Sequence, residues 1–432
     1  MDLVSWGRRG RHPHRVVRPA DPSRVADAIA TGHPGLAVGL ERSYGDSALN
    51  AGGTAWDLTA LDAFIEFDDE TGLLRCEAGV TLREIQRVFS RRGWMLAVTP
   101  GTQDVTVGGA IANDVHGKNH AAAGTFGCHV ERLVLLRTDG ERIVCGPHER
   151  SDWFAATVGG LGLTGVIVEA TIRLERVAGP WLETRRVAFG SLSEYFSLVR
   201  ETTEPLSVGW IDVVTGGGRR GIFTTAHPCS AAQTAAQAPP ADERALTVPF
   251  TPPFSLVGRA TLPALNKAYY WWQRAGVGTR VEHYRSYDYQ LDAIRGWNRM
   301  YGPRGFYQYQ STIPWEGAEE ATAEMLHRIA RSGQGSFLGV LKTFGDTPSP
   351  GMLSFPAPGV CFALDFPDLG DRTLRLFAEL DRIVSQVGGR LYPAKDARMP
   401  RELFEAGYPR LPEFLPFRDP GVESDLARRL IS

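Results

Sequence analysis

The chain has 432 residues, 47 Lys and Arg against 49 Asp and Glu, and 43% hydrophobic residues, which excludes a disordered tail, a fibre or a repeat array. A formal net charge of −2 leaves no global field to attract nucleic acid. The sequence shows no unbroken apolar run long enough for a transmembrane helix, and its five cysteines are odd in number without a CxxC pair, so neither a disulfide framework nor a metal site is expected.

The N-terminal stretch MDLVSWGRRGRHPHR places its basic residues after its few apolar ones, the reverse of a secretory signal, and a cytoplasmic chain is expected. Leu36 to Leu40 reads as a short buried strand ending at the polar turn Glu41 to Asp46. Leu73 to Ala78 alternates as a half-buried strand. Thr81 to Arg91 then places Leu82, Ile85, Val88 and Phe89 at helical spacing, with Thr81 and Glu84 as a capping box. From Val130 to Val144 two apolar runs flank Asp139-Gly140 and predict a hairpin. Val166 to Leu174 is a further strand, closed by Gly179-Pro180. The segment from His227 to Phe254, with Pro239-Pro240 and Pro252-Pro253, has the composition of a long mobile loop, either a lid or an insertion without a role. Phe306 to Pro314, Ser336 to Phe344 and Val360 to Phe366 predict three strands, with a helix over about 316–332. The mixture gives an α+β fold in two parts.

Three glycine-rich loops carry the chemistry. PGTQDVTVGGAIANDVHGKN (100–119) exposes backbone amides at Gly101, Gly108, Gly109 and Gly117, suited to a diphosphate. VGGLGLTGVIVEATIRL (158–174) and RSYGD (42–46) add two more. No GxGxxG lies between a strand and a helix, so a Rossmann site is disfavoured.

RSYGD, EAGVTL (77–82), the 100–119 loop, GTFGCHV (124–130) and GLGLTGVIVEATI together resemble the FAD-binding domain of the vanillyl-alcohol oxidase superfamily. HGKNH (116–120), WNRMYGPRGFYQYQ (297–310), LKTFG (341–345) and GGRLYPAKDAR (388–398) are similar to its decaprenylphosphoryl-ribose 2-oxidase branch. The resemblance implies a PCMH-type FAD domain over 1–178 with a C-terminal return over 391–432, and a sheet-and-helix substrate cap over 179–390. It implies that Arg42, Ser43, Tyr44, Gly45, Pro100, Gly101, Thr102, Thr106, Gly108, Gly109, Asn113, His116, Gly117, Gly124, Gly165, Tyr392 and Lys395 lie along FAD. The flavin is expected to be non-covalent, because Arg42 stands where many members attach it through a histidine.

The implied reaction is oxidation of the 2-hydroxyl of a polyprenylphosphoryl pentose to a keto sugar. An NAD(P)H-dependent reductase then completes an epimerisation, and a quinone or another acceptor reoxidises the flavin. A related oxidase of another sugar, alditol or nucleoside, and a flavin-binding partner without catalysis, are the alternatives. Lys395 is assigned to polarising flavin and substrate oxygens, and to proton removal second. His116 is the candidate base in the pocket wall. Lys118, Gln308, Gln310, Lys342, Cys361 and Ala363 are expected at the substrate. Gln308 and Gln310 share one face of a strand because side chains alternate, and their amides suit sugar hydroxyls.

Two departures from the family stand out. Glu41 replaces the usual glycine before the loop arginine. Ala363 stands where the family carries a cysteine, with Cys361 where it usually has asparagine. Finally, Asn266 to Gly276, NKAYYWWQRAG, mixes aromatic and basic residues and reads either as helix packing or as peripheral membrane contact.

Overall fold

The computed structural model describes residues 2–215, 220–238 and 245–432. The first third forms two main sheets and a two-stranded ribbon, Asp2–Leu3 with His12–Pro13. A small parallel sheet runs in the order Arg15–Val17, Thr54–Asp57, Gly35–Val38. A larger antiparallel sheet runs Arg142–Cys145, Val130–Leu136, Val166–Arg176, Leu73–Glu77, Phe64–Asp68, and Trp94–Leu96 pairs with the far end of the long strand. The hairpin turn has Gly140 at φ +88, a conformation open to glycine. Helix Leu82–Phe89 starts at the predicted box: Thr81 Oγ1 accepts from the Glu84 amide and Glu84 Oε2 from the Thr81 amide, both at 3.1 Å. Its Leu82, Ile85 and Phe89 are buried.

The second part is one antiparallel sheet of eight strands. The order is Gly278–His283, Trp181–Phe189, Gly221–Pro228, Leu206–Ile211, Val340–Phe344, Gly359–Pro367, Phe306–Ile313, Arg390–Leu391. Helices Leu192–Glu201, Ala318–Ser332 and Asp371–Gln386 pack behind it. The two-residue period of Phe306–Ile313 decides which side chains face the helices. Tyr309 turns back, its hydroxyl donating to Asp381 Oδ1 at 3.1 Å, while Gln308 and Gln310 point to the front.

The C-terminal residues return to the first third. Glu423 donates its amide to the Gly35 carbonyl at 2.9 Å, and Arg429 forks onto Asp46 with two bonds of 2.9 Å. One apolar core runs through both parts, from Trp56 to Phe362, Phe414 and Leu430.

Two expectations change. The segment from His227 to Phe254 is not featureless: His227 lies in the strand Gly221–Pro228, Ala231–Ala235 is helical, and Leu246–Thr247 pairs with Ile294–Arg295. Pro239-Pro240 lies outside the described residues. The strand expected from Ser336 begins only at Val340, because the Ser336 hydroxyl accepts from the Leu338 and Asp365 amides, both at 3.0 Å, and holds a turn there.

Candidate active site

A cleft of about 1540 Å³ lies between the glycine loops and the front of the eight-stranded sheet. The first loops supply Arg42, Ser43 and Tyr44, then Pro100, Gly101, Thr102, Thr106, Gly108, Gly109, Asn113, His116 and Gly117, with Gly165 beside them. The sheet supplies Gln308, Gln310, Lys342 and Ala363, and the return supplies Tyr392 and Lys395.

The glycines separate by purpose. Gly101 has no positive φ, and a Cβ there would meet no protein atom within 4 Å. Neither conformation nor protein packing demands its missing side chain, and the space beside it on the cleft wall is open to a ligand. Gly162 is likewise open, though at φ +76. The wall also leaves His116 Nδ1 buried without a protein partner. An open glycine-lined trough with an unmatched ring nitrogen in its wall fits an extended flavin nucleotide.

Three expected residues do not line this cleft. Gly45 is glycine because a Cβ would fall 1.5 Å from the Asp396 carbonyl oxygen, so it serves the seam with the C-terminal return. Gly124, at φ +70, ends the short helix His120–Ala123, and a Cβ there would sit 2.8 Å from Cys128 Sγ. Cys361 is fully buried behind Gln310, whose Nε2 reaches its Sγ at 3.2 Å, whereas Ala363 faces the cleft. Lys118 reaches the cleft wall, but its ammonium is turned to the cap: it donates to the Tyr287 carbonyl and lies 4.3 Å from the Tyr287 ring centre.

Electrostatics concentrate on two lysines. Burial pushes Lys395 down to about 7, with Asp365 opposing and Lys342 reinforcing the shift. The Lys395 ammonium lies 3.9 Å from the Tyr44 ring centre. Lys342 is also lowered by burial. Asp365 is fully enclosed and raised to about 7 by burial, against the opposing effects of a 2.7 Å bond from Gln308 Nε2 and of Lys395. Burial, then Lys342, keeps His116 well below its ordinary range, so its imidazole is neutral. Gln310 Nε2 donates to His116 Nε2 at 3.0 Å, which places the ring proton on Nδ1. Nε2, the ring's basic nitrogen, is thus occupied, and Lys395 is the better-matched proton acceptor near pH 7.

Sequence reasoning missed the N-terminal wall. Trp6 and Gly7 donate their amides to the Ser43 and Tyr44 carbonyls at 2.9 and 3.2 Å, and the Phe306 amide donates to Gly7 at 2.8 Å, so a strap joins loop to sheet. The Arg42 guanidinium lies 4.4 Å from the Trp6 ring centre and 3.7 Å from Asp104. Asp292 from the cap accepts the Gln103 amide at 3.0 Å. A polar turn beside GTQD was the available signal. Asp365 carried no signal beyond its place on a predicted strand.

A family model for an FAD binding domain matches residues 13–146. Over 99% of its length the chain is 37% identical to a decaprenylphosphoryl-β-D-ribose oxidase of Mycolicibacterium smegmatis, covering 97% of that protein. It is 33% identical over 81% of its length to an uncharacterised Streptomyces coelicolor protein, covering all of it. Over 37% of each chain it is 30% identical to an L-gulono-1,4-lactone dehydrogenase of Mycobacterium tuberculosis.

Proposed function

The chain belongs to the decaprenylphosphoryl-β-D-ribose oxidase family and is an FAD-dependent oxidoreductase, and from that premise we propose that it oxidises the 2-hydroxyl of a polyprenylphosphoryl pentose to a ketone. The observation that carries the reading is the joint presence of Lys395, Lys342, Gln308 and Gln310 around one cleft whose opposite wall is the glycine trough.

Bound non-covalently along Gly101, Gly108 and Gly109, FAD would supply the acceptor for the two electrons and the hydrogen leaving the sugar carbon. Lys395 is the proton acceptor for the hydroxyl. With its pKa near 7 a large fraction is neutral at physiological pH, and once protonated it is a cation where negative charge develops. Gln308 is locked by Asp365, so its amide is pre-oriented for a sugar hydroxyl. Gln310 is fixed by His116 and Cys361 in the same way, which makes His116 a positioning residue. Lys342 is an unpaired cation among the described residues lining the sheet side, and suits a phosphate or a polar sugar edge. The keto sugar is then a substrate for reduction by a separate NAD(P)H-dependent reductase, and a quinone or similar acceptor would take up the two electrons that bound FAD receives.

Anaerobic titration tests the reading. Flavin absorbance should bleach with decaprenylphosphoryl ribose and not with free ribose; bleaching only by unlipidated sugars would overturn it. Ala363 favours a second reading, oxidation of a different sugar, since a methyl replaces the family's thiol in the cleft; the same titration with alditols and nucleosides decides between them.

A further inference from the structure

Helix Leu262–Arg274 buries two amide side chains and turns both of its indoles outward. Asn266 and Gln273 are buried; Asn266 Nδ2 donates to Asp212 Oδ1 at 3.0 Å and to the Ser336 carbonyl at 3.2 Å, and Gln273 Nε2 donates to the Tyr269 hydroxyl at 2.7 Å. On the open face, Leu265, Trp271 and Trp272 are 48%, 52% and 68% exposed. Leu246, Phe250, Phe254 and Leu256 precede this helix and Val277 follows it, all exposed. Eight of the fourteen large hydrophobics exposed among the described residues thus fall between Leu246 and Val277.

The 246–256 segment and the first turn of the helix are held together, and the helix carries the band on to Val277. The 246–256 segment is tied to 294–300 by strand pairing at Leu246, by the Leu256 amide on the Met300 carbonyl at 2.8 Å, and by Arg299 Nη1 on the Val248 carbonyl at 2.8 Å. Leu262, at the start of the helix, packs with Val257 and Trp297 in the same cluster. The band flanks the cleft, since Tyr269, Gln273, Arg295 and Arg299 also line it. Its charge is of one sign: no Asp or Glu occurs between 245 and 281, whereas Arg259, Lys267, Arg274 and Arg280 do, all exposed.

Exposed large apolar side chains gathered on one segment mark a binding face. Two neighbouring indoles on a helix rimmed by cations and free of carboxylates match a negatively charged lipid surface, where aromatic rings sit at headgroup level and lysine and arginine meet anionic lipids. We propose that this band docks the protein on an anionic bilayer. The inference stands on the surface alone; joined to the reading of a lipid-linked substrate, it sets the cleft beside the membrane from which such a sugar would be drawn.

The test uses the FAD-loaded full chain and substrate-free vesicles of phosphatidylcholine, with or without about 30 mol% phosphatidylglycerol. The protein should float with the anionic vesicles and be released by raised salt. Brominated acyl chains should quench its tryptophan fluorescence. In a Trp271→Ser, Trp272→Ser double variant the partition should fall at least about tenfold, with flavin reduction by a short-chain, water-soluble substrate unchanged. Lys267→Glu with Arg274→Glu provides a second variant that keeps the helix face apolar, and it should lose the preference for anionic vesicles. Absence of flotation, absence of quenching, or equal partition of the variants and the parent would overturn the proposal. So would self-association or capture of a protein through this face without vesicle binding. Failure here leaves the anaerobic sugar titration free to succeed, so the two readings fall separately.

Discussion

Replacing Lys395 by methionine should make the apoprotein more stable and the enzyme nearly inactive. Lowering the ammonium's pKa from 10.5 to about 7 corresponds to a ceiling of about 5 kcal/mol against the charged form. The Tyr44 ring face returns roughly 1–2 kcal/mol of this. Water reaching a side chain that is only half-buried takes more, so the net gain on removing the charge is about 2 kcal/mol at pH 7. For a chain of 432 residues that is about 2 °C in Tm. The sign with pH follows from proton counting. The folded pKa lies below the unfolded one, so between about pH 7 and 10.5 the unfolded chain holds more protons and the parent gains stability as pH rises. The variant's advantage should therefore be smaller at pH 9.5 than at pH 7. Thermal melts of both apoproteins by circular dichroism at the two pH values read this directly. A variant less stable than the parent at pH 7, or an advantage that does not change with pH, would refute the assignment of a desolvated ammonium. In the loaded enzyme, anaerobic flavin reduction should slow by about 10²–10³.

Other expectations follow from single positions. Gly101→Ala should leave the apoprotein melt unchanged and weaken FAD binding at least about tenfold, measured by fluorescence titration, because the added methyl meets only ligand space. Gly45→Ala should instead destabilise the fold by more than about 3 kcal/mol, visible in denaturant melts, since its Cβ collides with the Asp396 backbone. Glu41 stands at φ +53 and accepts the Val4 amide, so Glu41→Ala should destabilise by about 1–2 kcal/mol, with Glu41→Gly recovering about 1 kcal/mol of that by relieving the left-handed strain. A disulfide reagent should titrate one thiol rapidly in the native protein, that of exposed Cys128. Cys76, Cys145, Cys229 and Cys361 are buried, and fast labelling of Cys361 by mass spectrometry would contradict its place behind Gln310.

Local rules reached some of this architecture and stopped short elsewhere. The capping box at Thr81, the hairpin at Gly140 and the alternation of Gln308 with Tyr309 are set by neighbours in sequence, so pattern alone exposed them. The glycine loops announced a ligand, yet could not sort Gly101 from Gly45, because one is empty toward the cleft and the other meets a backbone some 350 positions away in the chain. Lys118 was misdirected for the same reason: the carbonyl that captures its ammonium, that of Tyr287, comes from the cap. Cys361 and Ala363 share a strand face, but a bulky neighbour, Gln310, screens the first and leaves the second open. Trp6 acts partly through main-chain bonds, which no residue type advertises, and partly through its ring against Arg42 and Trp297, partners distant in sequence.

Those main-chain bonds tie the wall beside Tyr44 to the sheet, and the Trp6 ring packed between Arg42 and Trp297 adds side-chain contacts to the same tie. The stitching runs from Ser43 and Tyr44 across to Phe306. Gly7 alone is frozen, since even a methyl would strike the carbonyl oxygens of Tyr44 at 2.5 Å and Phe306 at 2.7 Å.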